Sequence, residues 1–276
     1  MQNAGIAALG LNWRYLACEV RPADLGPAIF GAKTMHFMGL NLTVPHKLLA
    51  VDMVDVLDES ARIWGAVNTI RFEGREEQGK WLPLREFSDP PQQIRANGFN
   101  TDADAIVRAL EEDLALRLKG ARVLLLGAGG AGRTAALKLA SVGVSELCLV
   151  NRTVAKAEAV ADEIKRLWPA VKLSLDYPAS EVDLMLNATS LGLKSDDPLP
   201  CDPARFVLRQ ACAVYDMIYR PSETALLQRA KEAGCRVANG LSMLLYQGAK
   251  ALEIWTGQPA PLAAMRAALW QNVNNA

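Results

Sequence analysis

Val123-Leu124-Leu125-Leu126-Gly127-Ala128-Gly129-Gly130-Ala131-Gly132 runs from four apolar residues straight into a G-x-G-x-x-G turn. A short, wholly apolar run is what a strand buried on both faces of a parallel sheet requires. The glycines that follow have separate tasks. Gly127 permits the tight turn, Gly129 lets the backbone approach a pyrophosphate, and Gly132 allows the next helix to pack close. With Ala128, Gly130 and Ala131 they form a turn whose unpaired N–H groups and helix-end charge suit a phosphate. Downstream, helical spacing over 133–141, a strand at 146–150, a helix over 154–167 and apolar runs at 182–186 and 213–217 alternate. The expected fold class is therefore α/β, with a Rossmann-type doubly wound parallel sheet.

The end of the second strand discriminates between cofactors. A site specific for NAD places a carboxylate about 20 residues past the glycines, on the ribose 2′-hydroxyl. Here the position reads Asn151-Arg152-Thr153, with Lys156 one turn further on. A guanidinium in place of a carboxylate favours a 2′-phosphate, to which it can make charge-assisted bidentate bonds, so the expected cofactor is NADP.

Upstream of the glycine turn, 15–20 and 38–44 read as strands. A helix is expected to begin after Pro45 and run through Leu48, Leu49, Met53, Val54 and Leu57. Residues 71–97, richer in charge, proline and glutamine, read as a hairpin or surface excursion. A helix is expected over 104–118. Beyond Asn239, residues 241–255 and 260–270 read as two helices with no strand between them. The expected domains are 1–101 for substrate, 102–238 for the cofactor, and 239–276 returning to the first, smaller α/β domain.

At 276 residues, 51% of them hydrophobic, the chain can bury a core in each of two small domains. Lys+Arg 30 against Asp+Glu 30 leaves no net field for nucleic acid or an anionic membrane. The expected partner is a small molecule, and the protein itself a monomer or homodimer. Five scattered cysteines without a CxxC read as reduced thiols that pack as small hydrophobes. No run approaches the ~18 apolar residues of a membrane span, and the N-terminus lacks a signal-peptide pattern, so a soluble, cytoplasmic protein is expected.

The two histidines, His36 and His46, with no cluster of metal-ligand spacing, argue against a zinc-dependent alcohol dehydrogenase. His46 reads as structural. Asn41-Leu42-Thr43-Val44-Pro45-His46-Lys47 instead places a strand end, a proline at a helix start and a lysine on the first helical turn. Such a lysine faces the carboxyl end of a sheet, where ligands of open sheets bind. The segments 65–69 (GAVNT) and 98–102 (GFNTD) each end in small polar side chains that can either fix hydroxyl groups or simply make turns.

Together these segments resemble the shikimate dehydrogenase family. The matching elements are NLTVPHK at 41–47, GAVNT at 65–69, NTD at 100–102, LLGAGGAGR at 125–133, NRT at 151–153, NATSLG at 187–192, YDMIY at 215–219 and NGLSMLLYQGA at 239–249. They span nearly the whole chain in the family's order. The resemblance implies an NADP-dependent alcohol oxidoreductase interconverting shikimate and 3-dehydroshikimate in aromatic amino-acid biosynthesis, with Lys47 and Asp102 as the catalytic pair. It puts Thr43, Asn68, Tyr219 and Gln247 at the ring hydroxyls and carboxylate, and Thr189, Met217 and Gly240 at the cofactor. It also implies two domains facing across a cleft that closes on binding. A lysine suits the proton-carrying role when burial lowers its hold on the proton and a carboxylate orients it. A paralogue acting on quinate or another hydroxylated ring, and a non-catalytic NADP-binding protein of the same fold, are the alternatives; methylene-tetrahydrofolate dehydrogenase fits the 41–47 and 100–102 segments poorly. One departure stands out. Members of the family begin with a strand and a Ser-x-Ser-Pro turn, whereas this sequence begins at the helix that follows. The expectation is a substrate-domain sheet short of one strand, with unpaired backbone beside the gap, normal NADP binding and poor turnover of shikimate.

Overall fold

The structure, a computed structural model, describes residues 1–274. The chain divides into two compact units, Met1–Asp102 with Leu245–Ala276, and Ala103–Leu244. Each is built around its own sheet.

The first unit contains α1 (Gln2–Ala8), α2 (Leu25–Thr34), β1 (Gly39–Asn41), α3 (His46–Leu49), β2 (Val56–Leu57), α4 (Glu59–Trp64), β3 (Thr69–Arg75), β4 (Trp81–Pro83) and β5 (Ile94–Phe99). Its sheet has the order β1-β3-β5-β2, with β4 added to β3. β3 runs antiparallel to β1 and β5, and β5 parallel to β2. Leu25, Ile29 and Ala32 on α2 recur at helical spacing and pack on Ile70, Phe72 and Ala96 of the sheet. Each large side chain buried this way contributes about 1.5–3 kcal/mol.

Several expectations are corrected here. Residues 15–20 form no strand. The Tyr15 backbone is occupied by the Asn3 side chain and the Val20 carbonyl by His46, and no neighbouring strand supplies a ladder. The helix after Pro45 ends at Leu49, followed by one 3₁₀ turn over Ala50–Asp52. Asp55 N–H then bonds the Ala96 carbonyl and Asp58 N–H the Gly98 carbonyl, so Val56 and Leu57 join β5 as a strand. Sheet pairing overrides the helical periodicity there. Residues 71–97 do contain the hairpin β3–β4, but β3 and β5 lie inside the sheet and make no surface excursion. Their charges form an internal network around Glu73, only 2% exposed, bonded by Arg71, by Arg95 at 2.8 Å and by Asn97 at 3.0 Å. Burial pushes the Glu73 carboxyl up, but these three donors outweigh it and hold the group below its ordinary range.

The next helix, α5 (Asp102–Leu114), stops four residues before its expected end, where Ala115 takes a left-handed φ of 46°. The second unit then alternates β6 (Arg122–Leu126), α6 (Gly130–Ser141), β7 (Glu146–Val150), α7 (Val154–Leu167), β8 (Lys172–Ser174), β9 (Val182–Asn187), β10 (Ala211–Asp216), α8 (Ala225–Glu232) and β11 (Arg236–Asn239). Six parallel strands in the order β11-β10-β9-β6-β7-β8 make the doubly wound α/β sheet. Chain order reverses between β6 and β9, which puts the glycine turn after β6 at the switch point where such sheets bind ligands. The short outer strands β8 and β11 carry no apolar run and escape sequence reading. Two helices, α9 (Leu241–Thr256) and α10 (Leu262–Asn274), end the chain. Among the described residues no helix is long and apolar enough to cross a membrane.

Candidate active site

In the first unit three segments converge on one carboxylate. α3 carries Lys47, whose backbone carbonyl accepts from Val67 N–H at 2.9 Å and whose Nζ donates to Asp102 Oδ2 at 2.7 Å. The Lys47 and Asp102 side chains are 26% and 10% exposed. Asp102 opens α5, and its N–H is capped by Asn100 Oδ1 at 3.1 Å. At that position a carboxylate also meets the positive end of the helix dipole.

Asp102 Oδ1 accepts from Asn68 Nδ2 at 2.9 Å. The same amide nitrogen lies 2.9 Å from Thr101 Oγ1 and 3.4 Å from Gln247 Oε1. It has two hydrogens, so it serves two of three acceptors at a time, and Gln247 is the most distant. Asn68 Oδ1 is engaged as well, accepting from Thr101 N–H at 2.8 Å. The carboxylate is thus held from both sides by donors. The remaining donors of the Lys47 ammonium have no acceptor among the described residues.

The structure brings Lys47, Asp102, Asn68 and Gln247 together. Thr43 is exposed on the loop that leads to Lys47, with its carbonyl accepting from His46 N–H at 2.8 Å. Tyr219 belongs to the second unit and is 40% exposed. The His46 ring donates from Nε2 to the Val20 carbonyl at 2.9 Å, a structural role. Sequence reading left Asn100 and Thr101 open between fixing hydroxyl groups and making a turn; in the structure Asn100 caps Asp102 and Thr101 braces Asn68 beside it.

In the second unit the glycine turn has the geometry its residues require. Gly127 adopts φ of 102°, and a Cβ at Gly132 would collide with the Gly127 carbonyl. At Gly129 and Gly130 a Cβ would meet nothing within 4 Å, so that face is open. Gly129 caps α6 without a side-chain bond, leaving its leading N–H groups to a ligand. Asn151 ties the turn to the loop after β7, accepting from Ala128 N–H at 2.9 Å and donating to the Thr153 carbonyl at 2.7 Å. Arg152 and Lys156 are exposed and form no ion pair among the described residues, whereas Arg133 is engaged by Glu163 at 2.7 Å.

The loop after β9 is shaped by Asn187, which accepts from the Thr189 hydroxyl at 2.8 Å and donates to buried Asp216 at 3.0 Å. Burial pushes the Asp216 carboxyl up, tempered by bonds from Thr224, Ile218 N–H and Asn187. A Cβ on Gly127 would stand 3.1 Å from the Thr189 methyl, so Thr189 adjoins the glycine turn. Met217 N–H bonds the Asn187 carbonyl at 3.0 Å, and a Cβ on Gly240 would collide with the Met217 carbonyl, which places Met217 and Gly240 together.

Three family models match the chain: shikimate dehydrogenase substrate binding domain over residues 1–70, shikimate / quinate 5-dehydrogenase over 109–192, and shikimate 5'-dehydrogenase C-terminal domain over 240–269. A shikimate dehydrogenase (NADP(+)) of Methanopyrus kandleri is 36% identical, with 99% of this chain and 90% of the relative covered. A crystal structure of shikimate dehydrogenase in complex with NADP+ is 35% identical, with a TM-score of 0.81 over 98% of this chain and 89% of that one. The ligand-free 5-ketofructose reductase of Gluconobacter sp. strain CHM43 is 31% identical, with a TM-score of 0.78 over 98% of this chain and 92% of that one.

Proposed function

The chain belongs to the shikimate dehydrogenase family, and from that membership we propose that it is an NADP-dependent oxidoreductase interconverting shikimate and 3-dehydroshikimate. The observation that carries the reading is the Lys47–Asp102 pair at 2.7 Å, braced by Asn68 and retaining ammonium donors for a substrate hydroxyl.

When bound, the dinucleotide supplies the hydride acceptor for alcohol oxidation and the hydride donor for ketone reduction. The chain handles the proton and the orientation. In oxidation the neutral Lys47 amine takes the ring hydroxyl proton, and Asp102 stabilises the ammonium so formed; in reduction the ammonium returns the proton to the carbonyl oxygen. Asn68 keeps Asp102 in place, so the lysine is presented in one orientation. Thr43, Asn68, Gln247 and Tyr219 are the proposed partners of the ring hydroxyls and carboxylate.

Residues present in the second unit fit the cofactor. The open face at Gly129 and Gly130 and the uncapped start of α6 suit a pyrophosphate, with Gly127, Ala128, Ala131 and Gly132 completing the turn. Arg152 and Lys156, exposed and without ion-pair partners among the described residues, suit a 2′-phosphate. Thr153 sits beside them; Thr189, Met217 and Gly240 are assigned to the nicotinamide side.

Steady-state kinetics with shikimate, quinate and reduced 5-ketofructose, each with NADP+ and NAD+, tests the reading. We expect shikimate with NADP+ to give the largest kcat/KM, by at least roughly tenfold, which corresponds to ~1.4 kcal/mol of preferential transition-state binding. Preference for reduced 5-ketofructose, a ketose, or no turnover of any of them, would refute it.

A further inference from the structure

Asp216 is a buried carboxylate to which the proposed chemistry gives no task. It ends β10, is 0% exposed and forms no ion pair among the described residues. Its partners are all neutral. Asn187 Nδ2 and Ile218 N–H both donate to Oδ1 at 3.0 Å, and the Thr224 hydroxyl donates to Oδ2 at 2.7 Å. Asn187 cannot turn its amide over, because its Oδ1 accepts from the Thr189 N–H and hydroxyl at 3.0 and 2.8 Å. Three donors favour the ionised carboxylate, yet no cation repays the cost of burying it. A charge kept under those conditions points to a role beyond packing.

Strand register fixes where that charge sits. Asp216 pairs with Asn187 of β9, and Asn187 with Leu126 of β6, so the three residues form one row across the carboxyl end of the sheet. At ~4.8 Å per strand, the start of the glycine turn lies about 10 Å from the Asp216 backbone. β7, on the opposite side of β6, leads to Arg152. With a pyrophosphate on the glycine turn and a 2′-phosphate at Arg152, the nicotinamide half of the dinucleotide falls on the other side, over the ends of β9 and β10. On that side Met217 N–H bonds the Asn187 carbonyl, and Gly240 packs on Met217.

We propose that the uncompensated charge of Asp216 selects the oxidised cofactor, stabilising its cationic nicotinamide relative to the neutral reduced ring. The proposal rests on the cofactor placement given above. In ketone reduction two electrons and a hydrogen leave the ring as hydride for the carbonyl carbon, Lys47 supplies the proton to the oxygen, and the ring gains one positive charge. A fixed negative charge nearby therefore favours that direction of transfer. It acts across low-dielectric protein, where it is screened far less than in water.

Asp216→Asn isolates the charge. The amide oxygen in the place of Oδ1 keeps both 3.0 Å donors, and the NH₂ group donates to the Thr224 hydroxyl, which accepts from Leu227 N–H at 3.4 Å and has a second lone pair free. Dissociation constants of NADP+ and NADPH for the full chain are read by fluorescence titration without substrate, in mildly alkaline buffer. The constant for NADP+ should rise by at least roughly tenfold and that for NADPH by less than about twofold, which raises the potential of the bound couple by ~30 mV per decade. Thr224→Val keeps the charge but drops one hydrogen bond and the cap of α8, so it should lower Tm and leave the ratio of the two constants unchanged. Equal changes in both constants with Asp216→Asn, or the same shift in ratio with Thr224→Val, would make Asp216 purely structural and overturn the proposal while the cofactor reading stands. Failure of Asp216→Asn to fold would overturn it too, by making the charge a requirement of the fold. An unaltered chain that binds neither dinucleotide would remove the cofactor reading and the proposal with it.

Discussion

Asp102→Asn is the most informative change at the proposed catalytic pair, because it preserves shape and removes only charge and acceptor symmetry. Both partners of the carboxylate are donors: Lys47 Nζ at 2.7 Å on Oδ2 and Asn68 Nδ2 at 2.9 Å on Oδ1. An amide offers one acceptor and one NH₂ group, so either orientation sets a donor against a donor. Asn68 cannot turn over to help, since its Oδ1 already accepts from Thr101 N–H at 2.8 Å. The change removes one bond to a charged group, about 1.5–3 kcal/mol, and leaves a buried donor unsatisfied, about 1–3 kcal/mol. Lys47 is about a quarter exposed, so water replaces part of what it loses and the lower half of the sum applies. We expect kcat for shikimate oxidation to fall by about 10²- to 10³-fold, at ~1.4 kcal/mol per decade. Pairing Asp102→Asn with Asn68→Asp restores donor against acceptor between the two positions. The double variant should therefore recover at least about tenfold in kcat over Asp102→Asn alone. A double variant as impaired as the two single changes multiplied together would refute the opposed-donor argument.

Three further outcomes are expected. Lys47→Ala should lower kcat by about 10²- to 10⁴-fold while leaving the dinucleotide dissociation constant unchanged by fluorescence titration, because proton transfer is the lost term; near-normal kcat would remove Lys47 from its role. Arg152→Gln should raise KM for NADP about tenfold or more and leave KM for NAD nearly unchanged, since only the 2′-phosphate loses a charge-assisted contact; equal effects would show that Arg152 does not read it. Glu73 is held below its ordinary value of 4.5 in the folded chain. It therefore contributes stability that is present above pH 4.5 and lost as pH falls through its lower, folded value. Glu73→Gln should lower Tm near neutrality, where Arg71 and Arg95 lose their counter-charge, and flatten the acid side of the Tm–pH curve; an unchanged curve would show that the network is not coupled to folding.

How far the fold was readable depended on where each segment finds its partners. β6 and the glycine turn were legible because their demands are local: four apolar residues buried on both faces, a positive φ at Gly127, and no room for a Cβ at Gly132. Residues 46–57 were misread because the decisive contacts are distant in sequence. The carbonyls of Ala96 and Gly98, some forty residues away, draw this segment out of a helix. Residues 15–20 show the converse. Their apolar run is that of a strand, but strand pairing is a property of two segments, and local pattern carries no record of the neighbour. Glu73 misled for a third reason. A charged residue at a strand position suggests solvent, yet Arg71, Arg95 and Asn97 converge on it from two strands and make it a buried anchor.

The proposed site divides along the same line. Lys47 and the glycine turn could be placed from the sequence because each lies at a helix start, whereas Asp102 was named only through the family resemblance. What the sequence did not disclose is the wiring. In isolation Asn68 reads either as a hydroxyl-fixing or as a turn residue; its significance comes from lying within reach of Thr101, Asp102 and Gln247, 33, 34 and 179 residues away, two of which its amide serves at a time. Asn187 is the counterpart in the second unit, joining Thr189 to Asp216 and setting the loop beside Gly127. Neither asparagine need touch a reacting atom to control reactivity. A fully satisfied amide fixes the side chain that does, and a substitution there should change rates through geometry while leaving the reacting groups intact.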